Sequence, residues 1–445
     1  MREKRDKTIG FMAAVISFFC CSLTVTFPAP FLPLEGERHG LHESSTGMIL
    51  GLEPFVQCIA SILLGSLITI SSASVMRLLI GGTMTLAGAS FAFGFLQLIP
   101  SKASHLFVSS ALFIRVIQAV SAAAIFNSSL TLIADMFPDN SVKMLSINTA
   151  IGTVGYIVGP AIGSLLYKLG SFWLVFTFIG GLLMTHTVAM ITCCQCSEIS
   201  FKEKSTSVVH HIPRRKILSK CSMTLSLFIL FISAVQWSAV ESVLEPELRH
   251  TYNLPEEQCA LVFLLLSVTF TVSAPLAGRM LSTQPGKSRM KVVICSLLTS
   301  AAAFLLAGPS PLLHIAVPRI SLLFVSLALI GTANGFTFTP AQDLAFDIRR
   351  LNLPDGICET SIRGFISGVW NSIYSLGIAI GMASSGRLTE STGWPCSMTV
   401  YAFGSLISAI VLMILQFGGW IEKEVTKTRS EENILKTPQI IDTEE

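Results

Sequence analysis

Twelve separate stretches of this chain are each long enough and apolar enough to cross a lipid bilayer, a pattern for which a water-soluble fold has no use. They run near residues 9–31, 46–69, 78–99, 105–134, 144–167, 171–194, 222–244, 258–281, 290–308, 319–343, 364–386 and 397–420. About 20 apolar residues in a helix span the hydrocarbon layer, and inside it each backbone polar group must be bonded within its own segment. Composition agrees, with 51% of residues hydrophobic and 13% charged, about half the charge density of ordinary globular chains. The sequence therefore predicts an all-α membrane protein of twelve transmembrane helices in two six-helix pseudo-repeats. A formal net charge of +3 gives no reason to invoke nucleic acid.

The longest polar interval between spans, 195–221, carries His210, His211, Arg214, Arg215 and Lys216 and reads as a basic linker between two halves, 9–194 and 222–420. A short tail, 1–8, precedes the first half. A second tail, 421–445, mixes charges of both signs without apolar periodicity and is expected to be disordered. Of the 30 Lys and Arg residues, Arg38, Lys102, Lys168, Arg249, Arg319 and Arg387 fall on one side, Arg115 falls within a span, and the rest fall on the side of the two tails. The positive-inside bias then makes both termini cytosolic. The first apolar run lacks a small-residue cleavage site and is too long for a signal segment, so it is expected to stay as the first helix.

The eleven cysteines suggest no disulfide framework, because most sit in apolar runs where the thiol behaves as a small hydrophobe. Cys193, Cys194 and Cys196 close the sixth span, where helix-end packing and S-palmitoylation are both open readings. No metal site is expected. Asn127 opens a formal glycosylation triplet inside the fourth span, which should be unused. With no nucleophile constellation and no phosphate-cradling loop, an enzymatic role has no support.

Two spans carry motifs. In the fourth, Arg115 and Gln118 stand at i and i+3 on one face of a helix otherwise free of charge. A guanidinium there costs about 2.5–3.5 kcal/mol on insertion scales, so both side chains are expected to face a central passage, the alternative being a structural bond between helices. In the fifth, Gly152, Gly155, Gly159 and Gly163 line one face and admit a close neighbour, while Pro160 bends the axis. Gly377, Gly381 and Gly386 follow a similar rhythm in the eleventh span, the first two at an offset of 222 residues from Gly155 and Gly159, as expected for a duplicated chain whose substrate path runs between the halves.

Arg115-x-x-Gln118-Ala119 followed by Gly155-x-x-x-Gly159-Pro160-x-x-Gly163 resembles the major facilitator superfamily, and the second motif resembles that of its proton-coupled antiporters. Within the superfamily the chain is similar to the vesicular amine transporter family, in particular its polyamine branch, through Ala29-Pro30-Phe31-Leu32-Pro33, Asn253-Leu254-Pro255 and the segment 308–315. The resemblance implies exchange of an organic cation, an amine or polyamine, for protons across the membrane of an acidic vesicle, driven by the proton gradient and needing no cofactor. Three departures stand against it. The run after Gly65 lacks the family's acid, Cys21 stands where monoamine carriers have an acid, and Met382 follows Gly381 where proline is usual.

Proton exchange needs a carboxylate in a partly dry cavity. Glu241 in the seventh span matches the family's acid, with Glu245 as the alternative register. Glu53, just before Pro54 in the second span, is the other candidate, and Asp343 is expected to end the tenth. Two further functions stay open: a facilitator or exporter of another small organic solute, and a membrane sensor or scaffold that has lost transport.

Overall fold

The computed structural model describes residues 2–28, 32–41, 43–68, 72–196, 214–254, 256–283, 288–308, 310, 320–347 and 359–417. The N-terminal half contains α1 (Arg2–Thr26), α2 (Leu32–Arg38), α3 (Glu43–Leu67), α4 (Ser72–Gly94), α5 (Ser104–Met136), α6 (Ser141–Gly170) and α7 (Phe172–Cys196). A five-residue helix, α8 (Arg214–Leu218), leads into the second half. That half comprises α9 (Cys221–His250), α10 (Glu256–Thr283), α11 (Ser288–Ala307), α12 (Ile320–Phe346), α13 (Glu359–Thr392) and α14 (Trp394–Phe417). All but α2 and α8 are long and apolar enough to cross a membrane, giving twelve candidate spans among the described residues. Most of the basic interval, including His210 and His211, and the tail after Phe417 lie outside the described residues.

The observed helices overrun the apolar stretches at several ends. α1 begins in the charged run Arg2 to Lys7 and stops at Thr26, five residues before the expected end, and α13 continues to Thr392. Hydropathy marks where a helix is dry, whereas the helix itself continues into water as long as its backbone bonds hold. Large apolar side chains such as Leu63, Phe113, Leu169 and Ile414 point outward and are exposed, a surface suited to lipid.

The small-residue stripes do the packing expected of them. A Cβ on Gly155 would lie 2.6 Å from the Phe19 carbonyl oxygen of α1, and one on Gly159 would meet Thr26 and the Leu23 carbonyl. In the second half, Gly377 abuts Ala234 and Phe231, and Gly381 abuts Val235 and Ser238, all on α9. Thus α6 seats on α1 as α13 seats on α9, helix for helix across the duplication. Gly163 is buried, and Pro160 stands within α6. The joints repeat as well: α6 and α7 are separated by Ser171 alone (φ 84°), α13 and α14 by Gly393 alone (φ 80°). A left-handed residue is what lets a helix stop and the next begin within one position.

Helices crossing in succession put the N-terminus and the end of α14 on one face, here called the terminal face. The halves meet chiefly through α3 with α13 and α6 with α10. Near the terminal face Gly65 touches Gly364 and Gly368 backbone to backbone, and Gly278 of α10 touches Ser146 of α6.

If close helix approach at Gly155 is structural, Gly155→Ala should destabilise the purified protein by about 1–3 kcal/mol through overpacking. Gly51→Ala, where an added Cβ meets nothing within 4 Å, should be neutral or slightly stabilising. Thermal unfolding of the two variants in one detergent checks the contrast.

Candidate functional site

Glu53 and Arg115 are brought together as a buried pair. Counting 1.5 Å per residue, Glu53 on α3 and Arg115 on α5 each lie about 15 Å from the end of their helix on the face opposite the termini. Glu241 on α9 lies about 14 Å from that same level. Arg115 Nη1 donates to Glu53 Oε2 at 3.2 Å and to Gln118 Oε1 at 3.2 Å, and the guanidinium stands over the Phe93 ring at 5.3 Å. Both Arg115 and Gln118 are almost wholly enclosed, at 1% and 2% exposure. The expectation that they face an open passage is corrected accordingly: they are held inside the N-terminal half, bonded between helices. Arg115 Nε and Nη2 and Gln118 Nε2 find no partner among the described residues, so Glu53 is what keeps this guanidinium tolerable in a dry interior.

Glu241 has the opposite surroundings. Its side chain is exposed, the Trp237 indole stands one turn before it within its electrostatic reach, and no ion pair reaches it among the described residues. Tyr156 on α6 lies within electrostatic reach of Glu241, Glu53, Cys21 and Tyr374, and Tyr374 on α13 is likewise close to Glu241. Because Tyr156 belongs to the other half, Glu241 looks across the space between the halves and not outward to lipid. Beneath it run edge-to-face rings: Trp237 on Phe270 at 5.3 Å, Phe270 on Phe338 at 6.1 Å, and Phe338 on Tyr374 at 5.9 Å and on Trp370 at 5.4 Å. An acid above aromatic faces is a good host for an ammonium group. Glu245 stands on the same helix, one turn further on, and its side chain lies outside the described residues.

Below this level a polar ladder joins the halves. Arg363 Nη1 on α13 donates to Asp135 Oδ1 on α5 at 2.7 Å, with Thr360 adding 3.1 Å to the same oxygen and Glu359 bonding Arg363 Nη2 at 3.1 Å. One turn deeper the hydroxyls of Thr131 and Ser367 bond at 2.9 Å, and one turn deeper again Asn371 Nδ2 donates to Asn127 Oδ1 at 2.6 Å. Cys58 Sγ and Ser372 Oγ, at 3.3 Å, add a contact from α3. Antiparallel helices with polar residues every fourth position zip together in this way. The passage is closed toward the terminal face, with Glu241 above the closure. Asn127 is buried, so the triplet it opens cannot be a surface acceptor.

Asp343 sits near the end of α12 as expected, but its work there is to take Arg289 of α11, Oδ2 to Nε at 2.6 Å. The exposed Cys193 is one of the three thiols at the end of α7, and the side chains of Cys194 and Cys196 are outside the described residues. Sequence reasoning missed Tyr156, Tyr374, Trp237 and the ladder. The ladder had a signal: Asn127, Thr131, Asp135 and Arg363, Ser367, Asn371 are polar stripes of period four in apolar helices.

A model of the Major Facilitator Superfamily matches residues 14–352 and, overlapping it, 226–438. The chain belongs to the Major Facilitator Superfamily. It is a membrane transporter by that membership, and its similarity to individual members is distant but nearly full length. MFS-type transporter SLC18B1 of Rattus norvegicus is 24% identical over 439 residues, covering 98% of this chain and 92% of that protein. The Homo sapiens protein of the same name is 26% identical over 435 residues, 95% and 88% of the two chains. The Homo sapiens vesicular acetylcholine transporter is 20% identical over 421 residues, 93% and 73%. The resemblance to vesicular amine carriers drawn from the motifs is thus met along the whole transporter. Among solved structures, the human organic anion transporter MFSD10 (TETRAN) superposes with a TM-score of 0.68 at 16% identity, over 92% of this chain and 99% of that one, a likeness of fold alone.

The buried pair yields a test. Glu53→Gln and Arg115→Gln should each cost about 3–5 kcal/mol of stability, since each strands a buried partner. The double substitution should recover about 2 kcal/mol or more of the summed loss. A double-mutant cycle on unfolding of the purified transporter measures this, and additive losses would show that the two side chains act independently.

Proposed function

We propose that the transporter is a proton-coupled antiporter that loads an organic amine or polyamine into an acidic vesicle, with its terminal face in the cytosol. The observation that carries this reading is Glu241: an acid exposed between the halves, unpaired among the described residues, beside Trp237 and Tyr374. An ammonium ion and a proton are the two cargoes such a carboxylate exchanges, because either one neutralises it and both cannot do so at once.

The cycle runs by alternating access. With the ladder between α5 and α13 open, an amine enters from the terminal side and pairs with ionised Glu241. The halves then rock until Asp135 meets Arg363 again, as in the present structure, and the site faces the opposite side. Protonation of Glu241 from the acidic lumen weakens the attraction and releases the amine. Glu53 supports the site by neutralising Arg115, so that the permanent cation does not repel the incoming one. If Glu53 takes up a proton, Arg115 becomes an uncompensated charge near the passage, which couples the second acid to the same cycle.

Uptake of labelled spermidine into proteoliposomes with an imposed pH gradient tests the proposal. Accumulation should collapse with the gradient, and Glu241→Gln should reduce it by about tenfold or more, the effect of losing roughly 1.4 kcal/mol of differential attraction. A wild-type rate in Glu241→Gln would remove the coupling role. Gradient-independent flux of a non-amine solute would favour a facilitator, and the absence of any flux a sensor or scaffold.

A further inference from the structure

On the face opposite the termini, residues 32–41 of the link between the first two spans form a cluster with α5 and α6. Glu35 on α2 is enclosed although α2 has only seven residues. Arg38 Nη1 donates to Glu35 Oε2 at 3.1 Å, and the Tyr167 hydroxyl of α6 donates to the same oxygen at 3.2 Å. His39, also buried, stacks on Phe107 of α5 with ring centroids 4.3 Å apart. The backbone carbonyl of His39 accepts a 2.6 Å bond from the Ser104 hydroxyl of α5. Neither ring nitrogen of His39 has a hydrogen-bond partner among the described residues, and Nε2 stands 3.9 Å from Glu35 Oε1.

That spacing is too long for a hydrogen bond and short enough to become one by a small ring movement. A neutral imidazole gains little from closing it. A protonated one gains a charge-assisted bond to a buried carboxylate, and imidazole is the side chain that ordinarily titrates between pH 5 and 8. Among the described residues the groups around His39 are Glu35 and Arg38 from its own segment, Tyr167 from α6, and the uncharged Ser104 and Phe107 from α5. Arg38 does not decide the balance, because its side chain is 60% exposed and lies over the Tyr167 ring at 5.7 Å, where water screens it. Oε1 is the Glu35 oxygen that His39 faces.

We propose that His39 and Glu35 form a proton-operated latch: a proton taken up by His39 from the compartment on that face fastens the 32–41 segment onto α5 and α6. The segment links α1, against which the glycine face of α6 packs, to α3, which carries Glu53, so fastening it stiffens the N-terminal half around the buried acid. Linkage gives the sign: a proton that fastens the docked segment makes docking strengthen as pH falls and weaken as pH rises. The latch stands whatever the cargo is.

Hydrogen exchange of the peptide covering 32–41, in the full chain in nanodiscs and corrected for intrinsic exchange rates, reads it directly. Protection should rise about tenfold between pH 7.5 and pH 5.5 in the wild type, and the rise should vanish in His39→Gln and Glu35→Gln. His186→Gln, which alters a half-buried histidine bonded to Ser17 in another part of the half, should keep the rise. A flat or falling wild-type profile overturns the proposal even where a variant does not fold. So does a rise that persists in His39→Gln, or one abolished equally by His186→Gln.

Discussion

A charge inside a membrane protein must be neutralised where it stands, and this constraint organises the structure. Three acids along the spans, Glu53 and Asp343 buried and Asp135 half-buried, are each matched to an arginine: Glu53 to Arg115, Asp135 to Arg363 and Asp343 to Arg289. The first ties helices within the N-terminal half, the second ties the two halves, and the third ties helices within the C-terminal half. Glu241 departs from the rule among the described residues, and an acid without a fixed counter-ion is free to take a movable one. Function in this account is the exception to a pairing rule that the rest of the interior obeys.

The duplicated architecture supplies the place for that exception. Close glycine contacts make α1 with α6, and α9 with α13, into matching pairs, and one-residue joints at Ser171 and Gly393 repeat the same turn in each half. Each half is thereby a body that can move as a whole, a shear of packed helices with its contacts conserved inside and exchanged at the boundary. The boundary is polar where it closes. Hydroxyl, amide and ion-pair rungs between α5 and α13 can be broken and wetted at modest cost, whereas an interlocked apolar seam would resist opening.

Much of this was legible in the chain. Span number, the division into halves and the glycine stripes follow from periodicity and steric size, which are local properties. Glu53, Arg115 and Glu241 were visible because a charge in an apolar run is conspicuous. What a single sequence does not carry is which charge meets which. Arg115 and Glu53 are 62 positions apart, so the same residues read as two cavity-lining groups until the fold pairs them and closes the space around them. Asp343 reads as a helix terminator in the sequence for the same reason, its partner Arg289 lying on another helix. The aromatic neighbours of Glu241 went unseen because Trp237, Tyr374 and Phe338 are unremarkable in apolar helices, and only their convergence from three helices makes them a site. His39 and Glu35 were hidden in a link between spans, where charged residues are expected and attract no notice.

The central claim is that Glu241, unlike Glu53, Asp135 and Asp343, is free to exchange its counter-ion. Carbodiimides that partition into membranes modify protonated carboxyl groups, and mapping the modified peptides of the purified protein would locate the free acid. The account predicts modification at Glu241, suppressed by an excess of amine, with Glu53, Asp135 and Asp343 shielded by their arginines. Modification centred on Glu53, or on Glu241 but indifferent to amine, would contradict it.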